Sequence, residues 1–193
     1  MKLPQIVGIA GTNGSGKDTL GALLHDKKGY DNVSLSDILR AELDKLGKEH
    51  TRENLSGMSK QIRDAEGEGA MSSRVIAQWS NSGRGTGLCI TSIRTPGEAQ
   101  VIQAAGGMMI WVDADDKRRY ERVVSGVRAR VTDTISFDEF MEQHHREMTP
   151  TEKGGGLNAG AVREIADVFI ENNYDTLEEY EAFLREYFEL DKL

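Results

Sequence analysis

The sequence predicts an α/β fold, a parallel sheet covered by helices. Three observations carry that prediction. Apolar runs too short for helices alternate with segments of helical period. Helix-start signals stand in front of several of those segments, and a glycine-rich loop joins the first run to the first helix. Ile6 to Ala10 is apolar and bounded by glycine, so it reads as a buried strand. Leu20, Leu23 and Leu24 follow at helical spacing. Val33 to Leu35 is a second short strand, and Ser36 can cap a helix carrying Leu39, Leu43 and Leu46. Residues 51–82 read as two polar helices parted near Gly67 and Gly69, and Leu88 to Thr91 is a third strand. Thr95-Pro96-Gly97-Glu98 combines a cap, a first-turn proline and the glutamate of a capping box. Met108 to Val112 is the fourth strand, followed by a charged helix from about Asp115 to Ser125. Ser136 to Glu139 is a second capping box, opening a helix with Phe137, Phe140 and Met141 on one face. Thr149 to Gly160, with four glycines and a proline, reads as a mobile loop. Val168 to Ile170 is the fifth strand. Thr176 to Glu179 starts a last helix with the stripe Leu177, Tyr180, Leu184, Tyr187 and Phe188.

Composition bounds what such a fold can do. The 193 residues, without repeats or low-complexity linkers, suit a single domain over 1–193. With 24 basic and 32 acidic side chains the net charge is −8, which argues against a partner as long and as charged as a nucleic acid. Residues 171–193 alone carry eight acids and two bases, a local sum of −6, so the rest of the chain is close to neutral. Residues 117–130 carry six bases and read as a basic arm. No apolar run approaches the roughly 18–20 residues that span a bilayer, and no signal-peptide core is present. The one cysteine, Cys89, cannot form an internal disulfide and reads as a core residue. A cytoplasmic protein without a membrane partner is expected.

The chemistry enters at Gly11-Thr12-Asn13-Gly14-Ser15-Gly16-Lys17. Between a strand and a helix, such a loop turns backbone N–H groups inward beside the positive helix end, and together they hold a polyphosphate. Glycines allow the close approach, and Lys17 reaches the β- and γ-phosphates. The hydroxyl that usually follows the lysine is displaced by one: Asp18 intervenes before Thr19.

Phosphoryl transfer needs positive charge around the moving group. Arg94 lies three residues past Thr91, at the carboxyl edge of the sheet, where open α/β folds bind ligands. Arg40 lies one turn after Ser36-Asp37, and Arg128 and Arg130 follow the charged helix. Asp37 is the leading carboxylate, although an acid in the first turn of a helix is also favoured by the dipole alone. The adjacent His144 and His145 cannot face one metal together and read as solvated. Trp79 and Trp111 read as packing.

The stretches Gly-Ser-Gly-Lys-Asp-Thr (14–19), Val-Ser-Leu-Ser-Asp-Ile-Leu-Arg (33–40) and Ile-Thr-Ser-Ile-Arg-Thr-Pro-Gly-Glu-Ala (90–99) resemble the P-loop kinases of small phosphorylated metabolites. The resemblance is greatest to nucleoside and deoxynucleoside monophosphate kinases and the dephospho-CoA kinase-like proteins. Ile170-Glu171-Asn172 also resembles their final strand and base loop. The resemblance implies a three-layer P-loop kinase fold: a five-stranded parallel sheet of order 2-3-1-4-5, helices on both faces and a helical lid. It implies an acceptor-binding region at 36–85 and the lid at 126–150. Gly11, Asn13, Gly14, Ser15, Gly16, Lys17, Asp18 and Thr19 would then hold donor ATP, with Thr19 near Mg²⁺ directly or through water and Asn172 near the adenine. Asp37 would position the acceptor or hold magnesium through water, Arg40 and Arg94 would grip the acceptor, and Arg128 and Arg130 would close over the moving phosphoryl group. The match departs at Thr91-Ser92-Ile93-Arg94, where relatives often carry an acid, which leaves more weight on Asp37 or Asp113. The lid has no four-cysteine knuckle, so no structural metal is expected.

The expected function is therefore an enzyme transferring the ATP γ-phosphoryl group to a nucleoside or deoxynucleoside monophosphate, acting as a monomer or homodimer. Two alternatives remain: transfer to a hydroxyl, as in the dephospho-CoA kinase-like proteins with Asp37 as base, and an ATP-binding switch that hydrolyses slowly.

Overall fold

The computed structural model describes residues 1–82, 85–125, 135–149 and 157–192. Five strands form one sheet: β1 (Ile6–Gly11), β2 (Tyr30–Ser34), β3 (Gly87–Thr91), β4 (Met108–Asp113) and β5 (Val168–Glu171). All neighbouring pairs are parallel, in the order β2-β3-β1-β4-β5. The helices are α1 (Lys17–Lys28), α2 (Leu35–Lys45), α3 (Arg52–Glu66), α4 (Ala70–Ser82), α5 (Pro96–Ala104), α6 (Asp116–Ser125), α7 (Phe137–Met148), α8 (Ala159–Glu164) and α9 (Leu177–Tyr187).

The period of two along each strand splits the core into two layers. Leu88 and Ile90 of β3 join Ala10, Met109 and Trp111 on one face, where Leu35, Leu39, Met58, Ile62, Met71 and Ile102 from α2 to α5 cover them. Cys89, between them, points the other way and joins Val7, Ile9, Ile110, Val112 and Ile170 under Leu20 and Leu24 of α1 and Tyr180 and Leu184 of α9. Burial pushes the Cys89 thiol up to about 12, as befits a packing residue. Because every strand runs the same way, Gly11, Ser34, Thr91, Asp113 and Glu171 come out along one edge.

The capping boxes expected at Thr95 and Ser136 form, with both the side-chain and the return bond present, and the start of the last helix at Thr176 proves to be a third. Three expectations need correction. The helix expected from Ser36 begins at Leu35 behind an extended Ser34, because Leu35 is buried as a helix residue rather than as the last of a strand. Strand β2 in turn begins at Tyr30, whose hydroxyl donates to the Pro4 carbonyl, and the polar Asp31 and Asn32 of this edge strand conceal it from an apolar count. The stretch read as a loop through Gly160 closes on a short helix, α8, started by the Asn158 side chain. In the last helix Tyr180, Leu184 and Phe188 are buried as expected, whereas Leu177 and Tyr187 are exposed. Among the described residues no helix is long and apolar enough to cross a membrane.

Candidate functional site

The glycine-rich loop leaves the end of β1 and enters α1 at Lys17. Gly14 (φ 80°) and Gly16 (φ 91°) both adopt the left-handed conformation that glycine tolerates best. Space makes the same demand. A Cβ on Gly14 would lie 2.5 Å from the Arg119 carbonyl oxygen, and one on Gly16 would lie 2.4 Å from the Asn172 amide nitrogen. Gly16 is also the N-cap of α1 and offers no side chain to the first turn, where the Thr19 N–H donates to the Gly16 carbonyl at 3.1 Å.

Long-range partners set the direction of the loop's peptide planes. Buried Asn172, just past β5, donates from its side chain to the Ser15 carbonyl at 2.8 Å. Arg119 of α6 donates to the Asn13 carbonyl at 3.3 Å. In a trans peptide the carbonyl of one residue and the N–H of the next point in opposite directions. With the carbonyls of Asn13 and Ser15 drawn back into the protein, the N–H groups of Gly14 and Gly16 face the other way. Two inward-turned amides, the open end of α1 and the Lys17 ammonium together suit an oxyanion such as phosphate. Ser15 Oγ, buried in the same loop, finds no hydrogen-bond partner among the described residues.

An ionic network around buried Arg119 holds that geometry. Asp113, at the end of β4, accepts from the Thr12 hydroxyl at 2.6 Å and from the Ala114 amide at 2.9 Å. Arg119, 1% exposed, lies 3.6 Å from Asp113, pairs with Asp116, donates to the Ala114 carbonyl and lies 5.3 Å from the Phe140 ring of α7. Two carboxylates and two carbonyls satisfy a guanidinium that would otherwise be very costly to bury. Arg122 donates to the carbonyls of Asn172 and Tyr174 and so fixes the segment that carries Asn172. Its pKa is pulled down, first by burial and then by Arg118. Arg118 in turn pairs with Asp175 at 2.8 Å. Of the six bases in the basic arm expected over 117–130, Arg118, Arg119 and Arg122 have internal partners, while Arg128 and Arg130 lie outside the described residues.

The edge formed by β2 and β3 is looser. Asp37, in the first turn of α2, pairs with Arg40 at 2.5 Å and is 72% exposed. The Ser34 hydroxyl meets that of Ser92 at 3.0 Å, and Ser92 has a φ of 64°, unusual for a residue with a side chain. Arg94 is fixed through its backbone: its N–H donates to Glu98 Oε2 at 2.9 Å, and its carbonyl accepts from Asn158 N–H at 2.9 Å. Its side chain meets Glu147 of α7 at 3.0 Å. Glu98 is buried, and burial pushes its pKa up; its carboxyl serves the N–H groups of Arg94 and Thr95 rather than the cleft. Asp113 is likewise occupied by the loop.

Glu147 also lines a space of about 10 Å³, enough for one water, with Asn13, Arg119, Phe140, Gln143 and His144. His144, expected to be solvated, is half-buried there, and burial followed by the nearby Arg119 charge lowers its pKa. His145 stays exposed. Of the expected lid over 126–150, residues 135–149 are described and carry α7, whereas 126–134, with Arg128 and Arg130, and 150 lie outside the described residues. No group of three or more metal-ligating side chains occurs among the described residues. Sequence reasoning missed the bracing roles of Arg119 and Arg122 and the part of Glu147. Their partners lie far away in the chain, and only their number in a charged helix signalled the first two.

The chain is 30% identical over 183 residues to a UPF0200 protein of Sulfurisphaera tokodaii, covering 94% of each chain. A UPF0200 protein of Hyperthermus butylicus is 30% identical over 178 residues, covering 92% of this chain and 89% of its own. UPF0200 protein TK1334 of Thermococcus kodakarensis is 29% identical over 182 residues, covering 92% of both. No family model matches the chain. Among solved structures, shikimate kinase from Bacteroides thetaiotaomicron superposes with a TM-score of 0.58 at 13% identity, covering 97% of this chain and 98% of that one. TT1252 from Thermus thermophilus gives 0.56 at 21% identity, covering 96% and 97%. Shikimate kinase from Acinetobacter baumannii in complex with shikimate gives 0.54 at 16%, covering 97% and 94%. At these identities the likeness speaks to the fold, which is that of the P-loop kinases.

Proposed function

The chain belongs to the UPF0200 family, and from that premise we propose that it transfers the γ-phosphoryl group of ATP to a nucleoside or deoxynucleoside monophosphate. The observation that carries the reading is the pair of peptide planes at Asn13-Gly14 and Ser15-Gly16, turned so that their amides face the mouth of the loop. These amides, the first turn of α1 and Lys17 hold the β- and γ-phosphates of the donor. Charge that develops on the γ-phosphoryl oxygens during transfer then meets donors already in position, with no reorganisation at the moment of reaction.

The choice of acceptor rests on what faces the loop from β2 and β3. Arg40 and Arg94 bring positive charge, which suits a phosphate. A hydroxyl acceptor needs a carboxylate to take its proton, and Asp37 is a poor candidate, exposed and paired to Arg40. A phosphate oxygen needs no such base. It attacks the γ-phosphorus in line, the bond to the β-phosphate oxygen breaks, and ADP leaves. Residues 36–85 bind the acceptor in this reading. Arg128 and Arg130 of the 126–150 lid, outside the described residues, close over the moving group.

Half-buried Thr19 and exposed Asp37 are oxygen donors suited to a hard cation. Thr19 would hold magnesium directly or through water, with Asp37 reaching it through water. When bound, magnesium neutralises charge on the β- and γ-oxygens. The test incubates the protein with Mg-ATP and a panel of nucleoside and deoxynucleoside monophosphates, dephospho-CoA and shikimate, then separates the products by chromatography. ADP formation that depends on a monophosphate is expected. ADP formation dependent on dephospho-CoA or shikimate moves the acceptor to a hydroxyl, and ADP release indifferent to every acceptor overturns the kinase reading in favour of an ATP-hydrolysing switch.

A further inference from the structure

We propose that Glu147 is the positioning residue for Arg94, holding its guanidinium ready for an anionic acceptor. The inference rests on the reading of Arg94 as an acceptor residue. The backbone of Arg94 is pinned from two sides, by Glu98 at its N–H and by Asn158 at its carbonyl. What remains free is a long side chain, 42% exposed and without rigid walls. Glu147 removes that freedom. Its carboxylate reaches across from the last turn of α7 and meets Arg94 Nη1 at 3.0 Å.

Glu147 itself is well anchored. It is 27% exposed and lines the water-sized space shared by Asn13, Arg119, Phe140, Gln143 and His144. Helix α7 is held there by Phe140, which is buried and lies against Arg119. The contact therefore joins the segment after β3 to helix α7, beside the small space that Asn13 of the loop also lines.

Such an exposed pair contributes little to folding stability. Its effect lies in binding. A guanidinium has five N–H donors, and one carboxylate leaves donors for a second anion. Ordering the side chain beforehand removes that entropic cost from acceptor binding and fixes where the acceptor phosphate lies relative to the loop. Glu147 touches neither the donor nor the reacting atoms. It acts through Arg94.

The test compares the wild-type chain with Glu147→Gln, Arg94→Ala and the double variant. The acceptor is whichever of AMP, CMP, GMP, UMP and their deoxy counterparts the wild type uses fastest. Glu147→Gln is expected to raise its KM about tenfold, while the affinity for a non-hydrolysable Mg-ATP analogue and the melting temperature stay unchanged. In acceptor KM the double variant is expected to be no worse than Arg94→Ala alone, because the effect of Glu147 on the acceptor runs through Arg94. Losses that multiply overturn the proposal, as does an unchanged or lowered KM in Glu147→Gln. If Arg94→Ala itself leaves acceptor use intact, the acceptor reading fails rather than this inference. A second measurement needs no acceptor: the backbone-independent order of the Arg94 Nε–H by ¹⁵N relaxation, with Arg94→Lys assigning the signal. High order in the wild type and its loss in Glu147→Gln are expected; equal order in both overturns the proposal.

Discussion

Around the phosphate loop, buried groups support one another: Asp113 takes the Thr12 hydroxyl, Arg119 binds Asp113, Asp116 and the Asn13 carbonyl, and Asn172 holds Ser15. Across the cleft, Arg40 rests on exposed Asp37, and Arg94 reaches Glu147 from a half-open surface. The first region is held by several partners at once; in the second, Arg40 and Arg94 each rest on a single carboxylate. The contrast fits a phosphoryl-transfer site whose donor is always the same polyphosphate and whose acceptor defines the enzyme. A rigid donor side holds electrostatic stabilisation in place. An adjustable acceptor side relies on contacts that small changes in α2, α3 and α7 can retune.

Substitutions probe the contrast from its strongest point to its weakest. Lys17→Ala is expected to reduce transfer by on the order of 10³-fold, because it removes a charged donor from the developing charge. The melting temperature should stay within a few degrees, since the Lys17 ammonium lies 3.8 Å from exposed Asp18 in an ion pair of small worth to stability. A steady-state assay paired with thermal unfolding checks both, and retained activity would remove the central assignment. Arg119→Leu tests the brace. It removes a buried guanidinium and leaves Asp113 and Asp116, 30% and 49% exposed, to solvent, at a cost of about 1–3 kcal/mol or roughly 2–12 °C in Tm. Affinity for ATP should fall with it, by calorimetry, and an unchanged Tm would mean that the loop does not depend on the network.

The acceptor side should respond differently. Arg94→Ala is expected to lower kcat/KM for the acceptor by about 2–4 kcal/mol while ATP binding holds. A loss confined to ATP affinity would put Arg94 on the donor side. Asp37→Asn should cost less than about 1 kcal/mol, as expected for an exposed pair with Arg40. A fall of about 10²–10⁴-fold instead would mark Asp37 as a general base and shift the acceptor to a hydroxyl.

What could be read from the sequence follows the range of the interactions. The glycine-rich loop between β1 and α1 and the capping boxes at Thr95 and Ser136 are local patterns, complete within a few residues, and each takes the expected place between or before its elements. Strands β1, β3 and β4 are buried on both faces and announce themselves as apolar runs. Strand β2 lies at an edge and carries Asp31 and Asn32, so only its end was legible; α8 spans six residues and hides behind glycines. The braces were not legible, because Thr12 and Asp113 are 101 residues apart, as are Asn13 and Arg119 by 106. A count of basic residues marked 117–130 as a basic arm, yet Arg118, Arg119 and Arg122 within it turn inward or onto neighbouring acids and carbonyls. Charge counted along the chain gives no direction; only the fold assigns it.

The most direct test of the account follows the label from [γ-³²P]ATP in the presence of the preferred monophosphate. The account predicts that ³²P appears in the terminal phosphate of a nucleoside diphosphate, in step with ADP, and that Lys17→Ala abolishes the transfer. Label released as inorganic phosphate at a rate independent of the acceptor would contradict it.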